Sequence, residues 1–179
     1  MVSVQKDLIY VSWLRPDDSY VCVNVDDNFQ GNPGMLGFGG LIRNKKGHWM
    51  ASFSGFYGFG SNLLPELLTI KHGLAVAWDK AHRRIILQSD SQKAIRLVKE
   101  GNSKFHKLGA MIADVKFLLA REWEVCMQHT LRKANACADF LAKHDAKNHD
   151  LFKVWDIPPP GLDSLLMPDS LGTNFRRVL

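Results

Sequence analysis

A mixed α/β fold, a β-sheet with helices packed against it, is what the 179-residue sequence predicts. Two observations carry that expectation. The chain opens with apolar residues at period two, and after residue 60 amphipathic helical stretches alternate with short β-branched runs. Strands first, then alternating helices and strands, give the order βββαβααβα and imply a sheet of mixed direction.

From residue 20 to 26, Val21, Val23 and Val25 alternate with Cys22, Asn24 and Asp26, the period of a strand. A second strand is expected over GFGGLIRN (37–44), and after the turn Asn-Lys-Lys-Gly a third begins at HWMASFSG (48–55). Connections this short favour antiparallel neighbours, so the chain starts as a three-stranded meander. Pro65 follows SNLL (61–64) and suits the first turn of a helix, where its missing N–H would be unpaired in any case. Leu67, Leu68, Ile70, Leu74, Ala75, Ala77 and Trp78 supply helical spacing to about Lys80. RRIILQSD (83–90) reads as a short strand, and Ser91 as the cap of the helix QKAIRLVKE behind it. A helix over 108–121, a strand over 123–130 and a helix over 134–146 complete the order. Beyond residue 150, three consecutive prolines forbid helix and favour an extended segment. Trp155, Leu162, Leu165, Leu166 and Leu171 argue that this tail lies on the domain. The expected division is an N-terminal extension over 1–19, a domain over 20–150 and a packed, Pro-containing tail over 151–179.

Hydrophobic residues make up 46% of the chain and charged residues 23%, ordinary values for a soluble globular protein with one full core. No apolar run approaches the roughly 18 residues that span a bilayer, and the first residues carry neither a secretory nor a transit pattern. An intracellular protein, nuclear or cytoplasmic and without membrane association, is expected. Cys22, Cys126 and Cys137 lack CxxC spacing and lie in apolar stretches, which reads as reduced core thiols. The net charge of +5 suits a polyanionic partner.

Four acidic residues stand at element ends or beside apolar helix positions. Asp26 closes the first strand, Glu66 lies in the first turn of the first helix, Asp90 closes the fourth strand and Asp139 sits in the last helix. Singly, each has a structural explanation as a turn former, a helix N-terminal charge, a cap or a solvated helix residue. If the first and fourth strands are neighbours, Asp26 and Asp90 meet at one edge of the sheet, within reach of the first helix. Clustered carboxylates repel one another and raise at least one pKa unless a cation stands between them. Mg²⁺ is the hard ion that takes one or two carboxylates and keeps waters for substrate oxygens. Two such ions about 3.5–4 Å apart would activate a water and stabilise the leaving oxygen of a phosphodiester.

Taken in order, NVDDNFQGNPG (24–34), GFGGLIRNKKG (37–47), SNLLPEL (61–67), LQSDSQKAI (87–95) and QHTLRKANACADFLAKH (128–144) resemble the type 1 ribonuclease H family. They are similar, more closely, to the plant RNase H-like domains related to those of retroelements. The resemblance covers about Tyr20 to Ala146, and LLMPDSLG (165–172) is similar to the segment behind the domain in those plant proteins. It implies an RNase H-like α/β fold with a five-stranded mixed sheet flanked by helices. The implied activity is metal-dependent endonucleolytic hydrolysis of the RNA strand of an RNA–DNA hybrid, with two Mg²⁺ ions or Mn²⁺ in their place. The family's catalytic, metal-binding acids fall on Asp26, Glu66, Asp90 and Asp139, and its loop histidine on His129. Its GNPG loop falls on Gly31, Asn32, Pro33 and Gly34, and Asn62 and Asn135 complete the substrate contacts it implies. A hybrid exposes 2′-hydroxyls across a shallow minor groove, which backbone amides and Asn side chains suit, while Lys and Arg suit its phosphates. Double-stranded RNA is the second duplex the resemblance admits, and a monomer is expected.

Departures from the family pattern touch no metal ligand. Asp27 stands where many members have Gly, and it adds negative charge beside the proposed metals. Leu63 replaces the second of two asparagines that help hold the hybrid, and Pro65 replaces an alanine. Three other readings stay open. One is a catalytically weak or inactive RNase H-like module that binds nucleic acid without cutting it. Another is an exonuclease of the related fold, whose DxE spacing NVDDN lacks. The third is a domesticated retroelement fragment with a protein-interaction role. Trp13, Trp49, Trp78, Trp123 and Trp155 read as packing residues.

Overall fold

The alternating valines of residues 21–25 form the middle of a six-stranded sheet in the computed structural model, which describes residues 8–31, 34–60, 63–101, 107–148 and 151–178. After β1 (Leu8–Val11) come β2 (Val21–Gly31), β3 (Gly34–Arg43) and β4 (Trp49–Gly60), the expected antiparallel meander. Next are α1 (Leu63–Asp79), β5 (Arg84–Ser89), α2 (Gln92–Glu100), α3 (Gly109–Leu119), β6 (Glu124–His129), a 3₁₀ turn (Arg132–Asn135) and α4 (Ala136–Asn148). The tail adds β7 (Lys153–Trp155), α5 (Asp163–Ser170) and β8 (Phe175–Val178). Strand order is β6-β5-β2-β3-β4-β7, with β2, β5 and β6 mutually parallel.

Five strands were expected, and the sixth comes from the tail. β7 pairs along the open edge of β4 from Ser52↔Trp155 to Ser54↔Lys153, and Trp155 Nε1 donates to Ser54 Oγ at 2.6 Å. Covering that edge gives partners to backbone groups that would otherwise face solvent. β1 and β8 pair with each other in a separate antiparallel ribbon, so the two flanking segments are joined. Among the described residues, no helix is long and apolar enough to cross a membrane.

Both faces of the sheet are covered. On one, Val23 and Val25 meet Ile70 and Leu74 of α1, Ala94 and Val98 of α2 and Val115 of α3. Each of the buried Val, Ile and Leu side chains contributes on the order of 1.5–3 kcal/mol by leaving water. The approach of α1 needs Gly73, because a Cβ there would lie 2.6 Å from Val25 Cγ1. On the other face, Leu41 packs with Cys137, Ala138 and Leu141 of α4 and with Leu162 at the start of α5. Gly39 lets α4 lie directly on β3, since a Cβ there would stand 2.5 Å from the Ala142 backbone nitrogen. With α4 in place, Cys22, Asn24 and Asp26 are buried although they form the polar side of the alternation.

Two local expectations meet the structure differently. Ser91 caps α2, its Oγ accepting from Ala94 N at 3.2 Å. All three cysteines are free, but Cys126 is exposed, a correction to the expectation of three core thiols. It lies on β6, the edge strand, where the outward side of the alternation has no layer above it.

Candidate active site

Parallel pairing of β2 with β5 runs from Val21↔Ile85 to Val25↔Ser89 and stops there. The next residues are Asp26 and Asp90, so the end of β5 brings the two carboxylates together beside a strand that continues past them. Because side chains alternate across a strand, Asp26 faces the α4 side and Asp27 the α1 side. Glu66 lies in the first turn of α1 and Asp139 in the first turn of α4. The four expected acids therefore come from β2, α1, β5 and α4 to one end of the sheet.

Asp26 is 3% exposed. Its Oδ1 accepts the Asp27 N–H at 2.9 Å, and its Oδ2 has no hydrogen-bond partner. Burial, then the charges of Asp90, Asp27 and Asp139, push its pKa up to about 9. Asp27 is raised to about 7, by burial and then by Glu66 and Asp90. Glu66 is raised as well, by burial first, with a hydrogen bond to Ser91 acting in the opposite direction.

The protein's own cations answer the other two acids. Exposed Arg132 holds Asp90, Nε to Oδ2, at 3.1 Å, and Lys143 holds Asp139 one helical turn away at 2.5 Å. The carboxylates sense one another without converging on one point: among the described residues, no three His, Cys, Asp or Glu side chains stand close enough to hold one ion. A hard divalent cation nevertheless fits the donors present. It would give the unpartnered, buried Oδ2 of Asp26 the ligand it lacks and offset the burial and repulsion that raise Asp26, Asp27 and Glu66.

His129 ends β6, is exposed, and its Nε2 lies 3.2 Å from the Asp90 backbone oxygen. A cavity of about 520 Å³ opens here, lined by Asp90, His129, Thr130, Leu131, Arg132 and Lys133. His129 also borders a second groove that carries Lys93, Arg96 and Lys99 along α2. Gly31 and Gly34 face each other as the closing backbone pair of the β2–β3 hairpin. Asn32, Pro33 and Asn62 lie outside the described residues. Asn135, expected among the substrate contacts, is 1% exposed. Its Nδ2 donates to the Val25 carbonyl at 2.8 Å and its Oδ1 accepts from Asn24 Nδ2 at 3.2 Å, so both ends of the amide are engaged inside the protein.

Sequence reasoning missed Asn24, Asn28 and Gln88. All three are buried, and Asn28 Nδ2, two residues beyond Asp26 on the same strand face, has no hydrogen-bond partner. Their signal was positional: Asn24 and Asn28 flank Asp26 at a spacing of two, and Gln88 precedes Asp90 by two.

Residues 24–145 match the model of the family described as reverse transcriptase-like. The chain belongs to the reverse transcriptase-like family. An Arabidopsis thaliana protein named "Putative ribonuclease H protein" is 35% identical over 169 residues, covering 94% of this chain and 27% of that protein. The chain thus spans about a quarter of the length of the curated relative it matches. Among solved structures, RNase H1 from the halophilic archaeon Halobacterium salinarum NRC-1 superposes with a TM-score of 0.67 at 23% identity, over 72% of this chain and 98% of that one. LC11-RNase H1 in complex with RNA/DNA hybrid gives 0.65 at 21%, over 72% and 97%. These likenesses bear on the fold, which is RNase H-like with a sixth strand supplied by the tail. In this reverse transcriptase-like chain the matched segment holds all four acids, while β1, β7, α5 and β8 lie outside it.

Proposed function

We propose that this chain is a metal-dependent endoribonuclease that hydrolyses the RNA strand of RNA–DNA hybrids. The single observation that carries the reading is Asp26: a buried carboxyl with one unpartnered oxygen, set beside Asp90 where β5 stops. Such a group is costly unless a cation binds it. Family membership and the four acids at one end of the sheet support the same reading. The catalytic unit is the domain over 20–150, with flanking segments on either side.

Asp26 and Asp90 would hold the divalent ions, with Glu66 assisting and Asp139 completing the second position. When bound, Mg²⁺ or Mn²⁺ supplies Lewis acidity to activate water and to stabilise the leaving oxygen. The chain's own residues have separate tasks. Arg132, exposed beside Asp90, and Lys133 attract backbone phosphates. His129, exposed at the mouth of the cavity, carries a proton to the departing oxygen. The hairpin glycines Gly31 and Gly34 let the duplex backbone approach closely.

The test is cleavage of an end-labelled hybrid with Mg²⁺ and with EDTA, beside Asp90→Asn. Internal RNA cuts that need metal and vanish in the variant are expected. Cleavage untouched by Asp90→Asn would sink the assignment. A second reading, a nucleic-acid-binding module of the same fold that does not cut, is favoured by Arg132 on Asp90 and Lys143 on Asp139, which occupy two acids with internal counter-charge. Hybrid binding without cleavage, with double-stranded RNA as the comparison, would select it.

A further inference from the structure

Beneath the acids lies a second, fully buried polar layer. Asn24 is two residues before Asp26, Gln88 two before Asp90, and Asn135 four before Asp139. Asn24 thus shares a strand face with Asp26, Gln88 lies near the end of β5 before it gives way to Asp90, and Asn135 ends the 3₁₀ turn that leads into α4. The three amides form one network: Asn24 Nδ2 donates to Gln88 Oε1 at 2.9 Å and to Asn135 Oδ1 at 3.2 Å, while Asn135 Nδ2 reaches the carbonyl of Val25 at 2.8 Å.

The network's charge comes from Arg43, 0% exposed, whose Nη2 and Nε donate to Asn24 Oδ1 at 2.7 and 3.2 Å. Its Nη1 donates to Asp169 Oδ2 at 2.6 Å, and Asp169 is 4% exposed. Asp169 belongs to α5, in the tail. The other flank closes the opposite side: the Arg43 guanidinium lies 3.9 Å from the Trp13 ring centroid, and Trp13 Nε1 donates to Gln88 Oε1 at 3.2 Å. Arg15 Nη2 donates to the Ser170 carbonyl at 2.6 Å, joining the flanks near this point.

We infer that Arg43 and Asp169 are positioning residues for the acid site: through Asn24 they hold β2, β5 and α4 in the mutual placement that sets Asp26, Asp90 and Asp139. Asn24 can accept from Arg43 and donate to both other amides only in one orientation, and the ion pair to Asp169 fixes the guanidinium that selects it. The segments outside the matched family region are therefore part of the site's framework. An Arg43 deprived of Asp169 would be a buried, uncompensated charge.

The test uses the full chain and three proteins: wild type, Asp169→Asn, and the double variant Arg43→Met/Asp169→Leu. The double variant removes the charges together and leaves no buried ion alone. The kinetic part rests on the function proposed above, and a second readout does not: amide NMR shifts of Asp26, Asp90 and Asp139 in the metal-free protein. In folded variants, kcat on the hybrid should fall on the order of 10–100-fold with KM nearly unchanged, and the three amide signals should move together. Folded variants with wild-type kcat and unmoved signals would overturn the inference. So would loss of folding in both variants, which would give the pair a purely structural role. If the wild type does not cleave, the functional reading fails, and the amide shifts alone decide this one.

Discussion

Replacing Asp26 by asparagine is expected to stabilise the metal-free protein at neutral pH and to abolish cleavage. In the folded chain the carboxyl has a pKa of about 9, against an ordinary value of 3.8. Between those values the unfolded chain is ionised at this residue while the folded chain is protonated, so folding takes up a proton. Stability is therefore greatest below the ordinary value and falls as pH rises toward 9, by about 1.4 kcal/mol per pH unit. From pH 5 to pH 8 that amounts to about 4 kcal/mol from this one group. Asparagine has nearly the same shape, can still accept the Asp27 N–H, and ionises in neither state. Urea unfolding of both proteins at pH 5 and pH 8 in EDTA measures the difference. Wild type should lose about 4 kcal/mol more than the variant over that interval. Added Mg²⁺ should restore stability to wild type at pH 8 and do little for the variant. Parallel stability–pH curves would refute the reasoning, because Asp26 would then ionise as easily in the folded chain as in the unfolded one.

Packing and burial elsewhere in the molecule give two more expected outcomes. Gly39→Ala places a Cβ about 2.5 Å from the Ala142 backbone nitrogen, and since backbone cannot swing aside, the cost should be about 3 kcal/mol and on the order of 10 °C in Tm; an unchanged melting curve would contradict the contact between β3 and α4. His72 packs against Phe38 and Phe152 at centroid distances of 4.6 and 4.8 Å, and burial, with Lys71 nearby, lowers its pKa to about 4. The folded chain resists protonating it, so its contribution to stability is complete above pH 6.5 and is lost as pH falls toward 4, by about 3 kcal/mol at most. Between pH 7 and pH 4.5 the urea midpoint of wild type should therefore fall further than that of His72→Phe, and equal losses would remove His72 as the cause.

The sequence by itself determined the parts of this protein that local chemistry controls. The period-two valines of β2, the Ser91 cap of α2, the helical spacing of α1 and the order of the elements depend on residues a few positions apart. The four acids could be singled out because each lies inside a recognisable stretch, although β2 runs on to Gly31 and leaves Asp26 in mid-strand instead of at its end. Tertiary structure alone decided which polar residues are buried. Asn24 and Asp26 read as the wet side of a strand until α4 covers it, and Arg43 reads as the lead into an exposed Asn-Lys-Lys-Gly turn, yet it is fully enclosed. The network joining Trp13, Asn24, Arg43, Gln88, Asn135 and Asp169 has no period and no local signature. Its directly bonded partners stand as many as 126 positions apart, Arg43 and Asp169. A buried polar group is stable only when its partner arrives with complementary geometry. That condition is met by the packing of distant segments, so it cannot be read along the chain.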